Sequence, residues 1–481
     1  MGDGLKASLG IILDRAGPDP LQRQLRQGII AGIEQGRMRP GQKMPGSRSL
    51  AQALGIARNT VTLVYDELVA RGYLDNHPRR GAFVAARSQP VAQSPAQGAI
   101  HWPGRLRARP SAFEQIRKMT GWAEYPYPFI YGQVDPTLFP IQAWRSCSRD
   151  MMGRSALDWW SADRAIEDDP MLIEQIRTRI LPARGIFAKP EEILITLGAQ
   201  EGLYLAARLL AGEGTRVGLE RPGYPDARFI FGLTGAEEVD LGVDAEGAAP
   251  APRLDLAVLT PASHCPTMAV MSEARRADWL DRASTEDFLI LEDDYEGELA
   301  LARGPSLKSQ DRAGRVIYLG TMSKILAPGV RLGFMVAPEG FVHEARWMRR
   351  LLHRSAPLNN QRTAAIFLAE GHYLALMRRL REAHSERWYQ VMERLPKDLG
   401  GFSAPDPCHG GSSLWLELPE GMDNAALLKG ALARGVAFEL GDPFTGPEGA
   451  GRFIRLGLSC IRTEAVRPGL AALGAVADGL R

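Results

Sequence analysis

The sequence predicts two folded parts, a small α+β domain of helices and one hairpin, followed by a large α/β domain with a mainly parallel sheet. In the first part, apolar residues recur at helical spacing in short segments separated by glycine and proline. In the second part, apolar runs such as residues 287–291 have the composition of buried parallel strands. A polar, proline-bearing stretch at 88–98 is typical of a tether. We therefore predict domains at 1–86 and 125–481, joined by a linker at 87–124.

The N-terminal part begins with an amphipathic helix whose apolar residues repeat at every fourth position. These residues are Leu21, Leu25, Ile29 and Ile33. Gly36 and the Pro-Gly pair after it end this helix, and a short helix within residues 44–56 then closes on a glycine turn. Another helix follows at 57–68, with a polar start and one apolar face. Residues 72–84 are predicted to form a hairpin with a basic tip.

This order resembles the winged helix-turn-helix domain of the GntR regulators. The P-G-x-x-x-P-x-x-R-x-L-A run from Pro40, the R-x-T-V-x-x-x-Y pattern from Arg58 and the G-x-F-V pattern from Gly81 carry the resemblance. It implies that the helix at 57–68 enters the DNA major groove and that the wing contacts the minor groove or the backbone. The implied DNA-contacting residues are Arg48, Arg58, Asn59, Thr60, Thr62, Tyr65, Arg79 and Arg80. Gly46 stands where serine is usual, which is expected to loosen the N-cap of the short helix.

The distribution of charge supports DNA binding by the N-terminal part. Residues 1–90 contain 13 Lys and Arg against 7 Asp and Glu, whereas the rest of the chain has 45 against 49. A basic module on a mildly acidic body is the electrostatic pattern expected for contact with phosphates.

In the large domain, residues 318–331 contain the groups that an aldehyde cofactor with a phosphate requires. Lys324 offers an amine for a Schiff base, and Thr321, Ser323 and Arg331 offer phosphate ligands. This combination suggests pyridoxal phosphate. An isolated Ser-Lys pair is usually a solvated surface feature, but other parts of such a site occur elsewhere in the chain.

Three further segments supply those parts. Asp293 and Tyr295 follow the strand at 287–291, at the end where open α/β sheets place ligands, and a buried carboxylate there can hold a protonated pyridine nitrogen. Residues 198–200 lie in a strand, glycine turn and helix that offer backbone N–H groups to an anion. Tyr224 lies in a tight turn, where its ring can stack on a planar cofactor.

Together with Arg455-Leu456-Gly457, these segments resemble the fold-type I pyridoxal phosphate enzymes of the aminotransferase class, over residues 125–481. The resemblance implies a large sheet domain, a smaller C-terminal α/β subdomain, Lys324 as the cofactor-binding lysine and Arg455 as the residue that holds an effector carboxylate. The implied cofactor-binding residues are Gly198, Ala199, Gln200, Tyr224, Asp293, Tyr295, Thr321, Ser323 and Arg331.

Two segments depart from that pattern. Cys265 and Met268 stand where such enzymes usually carry the asparagine and the glycine of an N-P-T-G turn. The usual glycine-rich segment near the substrate is degraded at 168–177. A scaffold that binds the cofactor but turns over poorly is expected from such changes.

The combination of the two domains resembles the MocR/GabR regulators along the full length of the chain. It implies a head-to-tail homodimer that binds double-stranded operator DNA, with an aldimine at Lys324 that is exchanged for an amine or amino-acid effector. The alternative is a catalytically active aminotransferase fused to a DNA-binding module. Segments 263–267 and 359–362 look like the branch that senses ectoine-derived diamino acids, with taurine as the rival effector.

The composition of the chain argues against several other classes of protein. The 481 residues include four scattered cysteines without C-x-x-C spacing, so neither a zinc site nor a disulfide framework is indicated. We expect no signal peptide, and no uncharged apolar stretch approaches the roughly 20 residues of a membrane span. We therefore expect a cytoplasmic protein. His353, His372 and His384 are expected to be surface residues.

Overall fold

The computed structural model describes residues 10, 11, 13–15, 17, 19–86, 100–113, 116, 118–164, 166–300, 304–404 and 411–481. The chain divides into two compact units, residues 1–106 and 107–481. Residues 87–99 of the predicted linker lie outside the described residues. The described residues between 107 and 124, also predicted as linker, belong to the second unit.

The first unit is a helical domain with one hairpin. Its elements are α1 (Leu21–Glu34), α2 (Ser47–Leu54), α3 (Arg58–Ala70), β1 (Leu74–His77) and β2 (Gly81–Val84). Leu25, Val61 and Leu68 are fully buried in one core between the helices. Gly55 ends α2 in the left-handed conformation, with φ of 65°, which glycine adopts without a Cβ clash. The predicted winged helix-turn-helix is therefore confirmed, and Gly46 gives α2 no side-chain cap.

The second unit is built on a mixed sheet with the strand order β4-β11-β10-β9-β8-β5-β6-β7. The strands are β4 (Ile193–Thr196), β5 (Arg216–Arg221), β6 (Glu237–Asp244), β7 (Gly247–Ala248), β8 (Leu256–Leu259), β9 (Leu289–Asp294), β10 (Val316–Thr321) and β11 (Gly333–Val336). β6, β5, β8, β9 and β10 pair in parallel, whereas β11 runs antiparallel to β10 and to β4. The predicted mainly parallel sheet is thus confirmed.

Helices cover this sheet on both sides and continue into a smaller C-terminal subdomain. They are α4 (Ile141–Met151), α5 (Arg154–Trp160), α6 (Pro170–Gln175), α7 (Ala199–Leu210), α8 (Pro225–Gly232), α9 (Glu273–Thr285), α10 (Leu307–Gln310), α11 (Glu339–His353), α12 (Leu358–Ala369), α13 (His372–Asp398), α14 (Asn424–Ala433), α15 (Asp442–Thr445) and α16 (Thr463–Leu480). Apolar side chains from the strands and from α7, α8 and α12 fill the cores of the large domain.

The subdomain contains a small antiparallel sheet, ordered β12-β15-β14, with α13, α14 and α16 packed around a shared core. Its strands are β12 (Ser413–Glu417), β14 (Glu439–Leu440) and β15 (Phe453–Gly457). A further short pair, β3 (Tyr127–Pro128) with β13 (Val436–Ala437), joins the start of the second unit to this subdomain. Within the described part of the chain, no helix is both long and apolar enough to cross a bilayer.

The prediction for one of the three histidines was wrong. His384 is buried, and burial lowers its pKa to about 3, so it stays neutral in the interior. His353 and His372 keep partial exposure. His372 also lies beside Cys147 and Glu370, so that three possible metal-ligand atoms fall within 4.8 Å of one another, a grouping that the scattered sequence positions did not show.

Candidate DNA interface and effector pocket

The DNA interface predicted from the sequence lies on the exposed side of α2, α3 and the hairpin. Arg48, Arg58, Asn59 and Thr62 are exposed, and Thr60 is half-buried. Arg79 and Arg80 are exposed at the turn between β1 and β2. The guanidinium of Arg80 lies 5.6 Å from the ring centroid of Phe83. This cation–π contact attracts the guanidinium and leaves its positive charge in place. The exposed side chains among them are therefore accessible to phosphates or base edges.

Tyr65 is the exception in this set. Its side chain is buried against the core, and its hydroxyl donates a hydrogen bond to the carbonyl oxygen of Pro45 at 2.8 Å. Burial also raises its pKa. The phenol ties α3 to the start of α2 instead of facing solvent, so the structure argues against a DNA contact by Tyr65.

In the second unit, all predicted cofactor residues, together with Lys324 and Arg455, line one cavity of about 300 Å³. The strands explain this convergence, because β4, β5, β9 and β10 end at the same edge of the sheet. Nine further lining residues were not predicted as contacts. They are Ile116, Lys118, Tyr131, Gly132, Gln133, Leu203, Asp226, Cys265 and Pro328.

Lys324 lies shortly after β10 and has an unusual environment for an amine. Burial lowers its pKa to about 8, the cations Lys118 and Arg455 act in the same direction, and Glu296 opposes them. Its Nζ lies 4.3 Å from the ring centroid of Tyr131. A Cβ atom on Gly132, whose φ is 72°, would come within 2.8 Å of that Nζ, so glycine leaves the space that the amine occupies. Lys324 is thus poised to be neutral more often than an exposed lysine.

Asp293 and Ser323 present polar atoms that the described residues leave unsatisfied. Asp293 is buried on β9, and its Oδ1 has no hydrogen-bond partner. Burial, reinforced by Asp294, raises its pKa to about 7, while Lys324 opposes the rise. The Ser323 hydroxyl is likewise buried without a partner. Because unsatisfied buried polar groups are costly, both atoms fit a bound group that donates to the carboxylate and accepts from the hydroxyl.

Tyr224 lines the cavity within a small hydrogen-bond network. The Tyr224 hydroxyl donates to Gln200 Oε1 at 2.7 Å and lies 3.1 Å from Asp226 Oδ2, which also accepts from Gln200. Gly198, with φ of 86°, precedes α7 and packs against the guanidinium of Arg331, which donates to the carbonyl of Leu197. A helix N-terminus beside an arginine suits a phosphate. The donors, the carboxylate and the Tyr224 ring therefore fit pyridoxal phosphate.

Of the two segments that depart from the aminotransferase pattern, the one with Cys265 and Met268 reaches the cavity. Cys265 lines the cavity, and burial raises its pKa to about 11, so a neutral thiol stands where an amide is usual. Met268, which stands where glycine is usual, has a left-handed backbone with φ of 63°, and its sulfur lies 3.8 Å from the Tyr295 hydroxyl.

The degraded segment at 168–177 makes structural contacts outside the cavity. Asp168 accepts hydrogen bonds from Arg346 and Arg349, and Asp169 caps α6 and pairs with Arg362. None of these five residues lines the cavity. The same holds for Gln361, which is buried against the Asp169 backbone, so residues 359–362 give no direct information on the effector.

Tyr131 organises the charged half of the pocket. Three cations lie on its ring: the Arg455 Cζ is 3.5 Å from the centroid, Lys324 Nζ is 4.3 Å away and Lys118 Nζ is 5.4 Å away. Its hydroxyl donates to buried Glu296 at 2.7 Å. An apolar run ending in Tyr131-Gly132 was the available sequence signal, but nothing in it indicated the cations that gather there.

Arg455 is the most deeply buried cation of the pocket. It lies on β15, fully enclosed, and its Nε donates to the Ser413 hydroxyl at 3.1 Å. One terminal nitrogen, Nη2, has no partner among the described residues. A buried guanidinium with an unused donor can bind an anionic end group strongly, because little water competes with it.

Comparisons with known proteins agree with this organisation. The family described as "Bacterial regulatory proteins, gntR family" matches residues 21–84, and the family "Aminotransferase class I and II" matches residues 169–471. The HTH-type transcriptional regulator TauR of Rhodobacter capsulatus is 44% identical over 467 residues, 95% of this chain and 96% of that protein. The probable rhizopine catabolism regulatory protein MocR of Rhizobium meliloti is 28% identical, with coverages of 89% and 88%.

Among solved structures, LysN, an alpha-aminoadipate aminotransferase from Thermus thermophilus, superposes with a TM-score of 0.69 at 26% identity, covering 79% of this chain and 99% of that one. The similarity to MocR and TauR includes both units, whereas the similarity to LysN concerns the aminotransferase fold. The chain belongs to the MocR-type transcriptional regulators, which join a gntR-family DNA-binding domain to an aminotransferase class I and II domain.

Proposed function

We propose that this regulator holds pyridoxal phosphate at Lys324 and that a primary amine with an anionic end takes the place of Lys324 and changes DNA binding. One observation carries the proposal. The amine of Lys324, the unsatisfied carboxylate of Asp293 and the unsatisfied guanidinium nitrogen of Arg455 all line one cavity. An amine-binding cofactor at one end and an anion site at the other match a small amino acid or amino sulfonate.

Each residue has a distinct task in this scheme. When bound, pyridoxal phosphate supplies an aldehyde that condenses reversibly with primary amines. Asp293 would accept a hydrogen bond from its pyridine nitrogen, and the turn before α7, with Ser323 and Arg331, would hold its phosphate. Tyr224 shields one face of the ring. Lys324, with its lowered pKa of about 8, donates a neutral amine and afterwards remains nearby as a base.

The geometry limits the size of the effector. Lys324 Nζ and Arg455 Cζ lie 4.3 and 3.5 Å from the same ring centroid, so their separation cannot exceed these two distances together. A chain of two or three carbons spans such a gap between an amine and an anion. The similarity to TauR favours taurine, an amino sulfonate of this length, over an ectoine-derived diamino acid. The cations at the anion end also favour one acidic group over a second amine.

Signal transfer requires two arrangements of the protein with different affinities for the effector. A ligand shifts the balance only by the difference between those affinities. We propose that the regulator acts as a head-to-tail homodimer, in which two winged helix domains meet two DNA half-sites at a fixed spacing. Sedimentation of the holoprotein with and without operator DNA tests this arrangement, and a monomer on DNA would contradict it.

The central experiment is a titration of the holoprotein with taurine, followed at the visible absorption band of the cofactor and by DNA affinity. We expect both signals to change over the same taurine concentrations. In the Lys324→Ala variant, taurine has no lysine to replace, so the band change that reports this replacement should be absent. Lys397→Ala, at an exposed helix position, should behave like the unmodified protein. A band change without any change in DNA affinity would contradict the regulatory role.

The same sample separates a sensor from an aminotransferase. A sensor keeps the amine and returns it unchanged when the protein is denatured. An aminotransferase releases the corresponding carbonyl product and retains the amino group on the cofactor. The neutral Cys265 thiol in place of an amide favours the first outcome. Stoichiometric formation of the carbonyl product would contradict the sensor assignment.

A further inference from the structure

Lys118 reaches the effector pocket from the segment that precedes the aminotransferase fold. Its Nζ donates to the carbonyl oxygen of Tyr131 at 2.7 Å and forms an ion pair with the Glu439 carboxylate. Its side chain is 37% exposed, whereas that of Glu439 is 5% exposed. Lys118 is therefore much more exposed than Arg455, the buried cation that lies on the same Tyr131 ring.

The ammonium of Lys118 still has donor capacity. A lysine ammonium has three N–H donors, and the described contacts, to Tyr131 and Glu439, use two of them. The third is available to the cavity that Lys118 lines. Arg455, on the same aromatic ring, has the unused Nη2 described above.

The charged side chains around Lys118 favour the binding of one anion. Glu439 on β14 is the cross-strand partner of Arg455 on β15, so one carboxylate lies beside both Arg455 and Lys118. The second oxygen of Glu439 is buried without a partner, so it stabilises neither cation by a direct hydrogen bond. Lys118 and Arg455 beside Glu439 give this end of the pocket a net positive charge, while buried Glu296 acts on Lys324. An incoming anion neutralises that positive charge in a poorly hydrated environment.

We propose that Lys118 and Arg455 form a two-cation subsite that selects a sulfonate over a carboxylate as the acidic end of the effector. The inference rests on the proposed function, because it concerns the anion end of the same amine ligand. A carboxylate has two oxygens, and a bidentate contact with Arg455 uses both. A sulfonate has a third oxygen that remains for the ammonium of Lys118. Lys118 therefore strengthens the binding of the tetrahedral sulfonate more than that of the planar carboxylate.

A purely structural role for Lys118 makes a different prediction. If Lys118 only held Glu439 and the Tyr131 backbone in place, its loss would weaken all short ligands by a similar factor. The useful comparison is therefore between taurine and β-alanine, which share the amine and the two-carbon chain and differ only in the anion.

The test measures the dissociation constants of both ligands from the cofactor band of the holoprotein. In Lys118→Met we expect taurine to bind about 10- to 100-fold more weakly, the effect of losing one charge-assisted hydrogen bond, and β-alanine to change by about threefold or less. Lys118→Arg should restore most of the preference for taurine. Lys429→Met, which removes an exposed lysine of α14, should leave both constants unchanged.

A second variant controls for structural changes that an unpaired Glu439 could cause in Lys118→Met. Lys118→Met combined with Glu439→Gln removes both charges of the ion pair, and it should lose the taurine preference as Lys118→Met does. Equal weakening of both ligands in both variants would overturn the subsite and leave the proposed function intact. If neither ligand alters the band or DNA affinity of the unmodified protein, the proposed function itself fails. The two failures are therefore distinguishable.

Discussion

Replacing Glu296 by glutamine should change the pH at which the apoprotein takes up pyridoxal phosphate. Only the neutral amine of Lys324 attacks an aldehyde, so uptake increases as pH rises and levels off above the pKa of that lysine. Burial, aided by Lys118 and Arg455, lowers this pKa to about 8, and the charge of Glu296 opposes the lowering. Glutamine keeps an oxygen for the hydrogen bond from the Tyr131 hydroxyl but removes the charge.

The magnitude follows from the protonation equilibrium. At pH 7, a lysine with a pKa of about 8 is about one-tenth neutral, whereas an ordinary lysine is less than about one-thousandth neutral. Removing one nearby buried charge, at an effective dielectric constant of about 20, lowers the pKa by on the order of one unit. In Glu296→Gln the midpoint of uptake should therefore fall by about one pH unit, and uptake at pH 7 should increase about fivefold.

The assay mixes apoprotein with pyridoxal phosphate in a stopped-flow spectrometer from about pH 6 to about pH 9, the range that brackets the lowered pKa. Glu344→Gln, which removes an exposed carboxylate on α11, is the matched control and should keep the original midpoint. Lys118→Met removes a cation and should move the midpoint upward. A midpoint that stays in place or rises in Glu296→Gln would refute the electrostatic argument for Lys324.

Three further outcomes are expected. Asp293→Asn should lower the affinity for pyridoxal phosphate by about 10- to 100-fold in a spectral titration, and unchanged affinity would contradict the pyridine contact. Arg58→Ala should weaken binding to a selected DNA duplex by about 1–3 kcal/mol in fluorescence anisotropy, and equal loss on a scrambled duplex would reduce Arg58 to a phosphate contact. Tyr65→Phe should destabilise the N-terminal domain by about 1 kcal/mol through the lost bond to Pro45, with DNA affinity within about twofold. Weaker DNA binding at an unchanged Tm would reinstate Tyr65 as a DNA contact.

The residues expected to hold the cofactor could be identified from the sequence, because each of their segments has a local sequence pattern. Asp293 ends a recognisable strand, Gly198 begins a helix after another, and Lys324 follows a third. Strand order then brings these separate segments together at one edge of the sheet, as it does in open α/β sheets generally. The winged helix was predictable for the same reason, since its helices and hairpin follow one another along the chain.

In the charged half, Lys324 and Arg455 were predicted as site residues, but the partners around them could not be predicted, because these contacts join distant parts of the chain. Lys118 and Glu439 are 321 residues apart, and Tyr131 and Glu296 are 165 apart. Nothing local to Lys118 distinguishes it from a solvated lysine.

For Tyr65 and His384, by contrast, the local sequence pattern itself indicates burial. Tyr65 continues the apolar face of Val61, Val64 and Leu68 at helical spacing, and all four are buried. His384 follows Leu376 and Leu380 at intervals of four on α13, where the same periodicity predicts burial. In both cases a polar atom on an otherwise apolar face obscured the periodic pattern.

The position of Lys118 bears on how an effector can influence the DNA-binding domain. The segment that leads from residue 106 into the second unit is anchored on that unit at two places. Phe113 stacks on Phe229 of α8, with centroids 4.5 Å apart and planes 9° from parallel, and Lys118 binds Glu439 and the Tyr131 carbonyl. An effector anion bound by the third N–H of Lys118 would add a contact at the second anchor. Allosteric coupling typically amounts to about 1–3 kcal/mol, which is no more than the energy of one charge-assisted hydrogen bond. If the effector contact at Lys118 is made in only one of the two arrangements of the protein, its energy matches a coupling of this size.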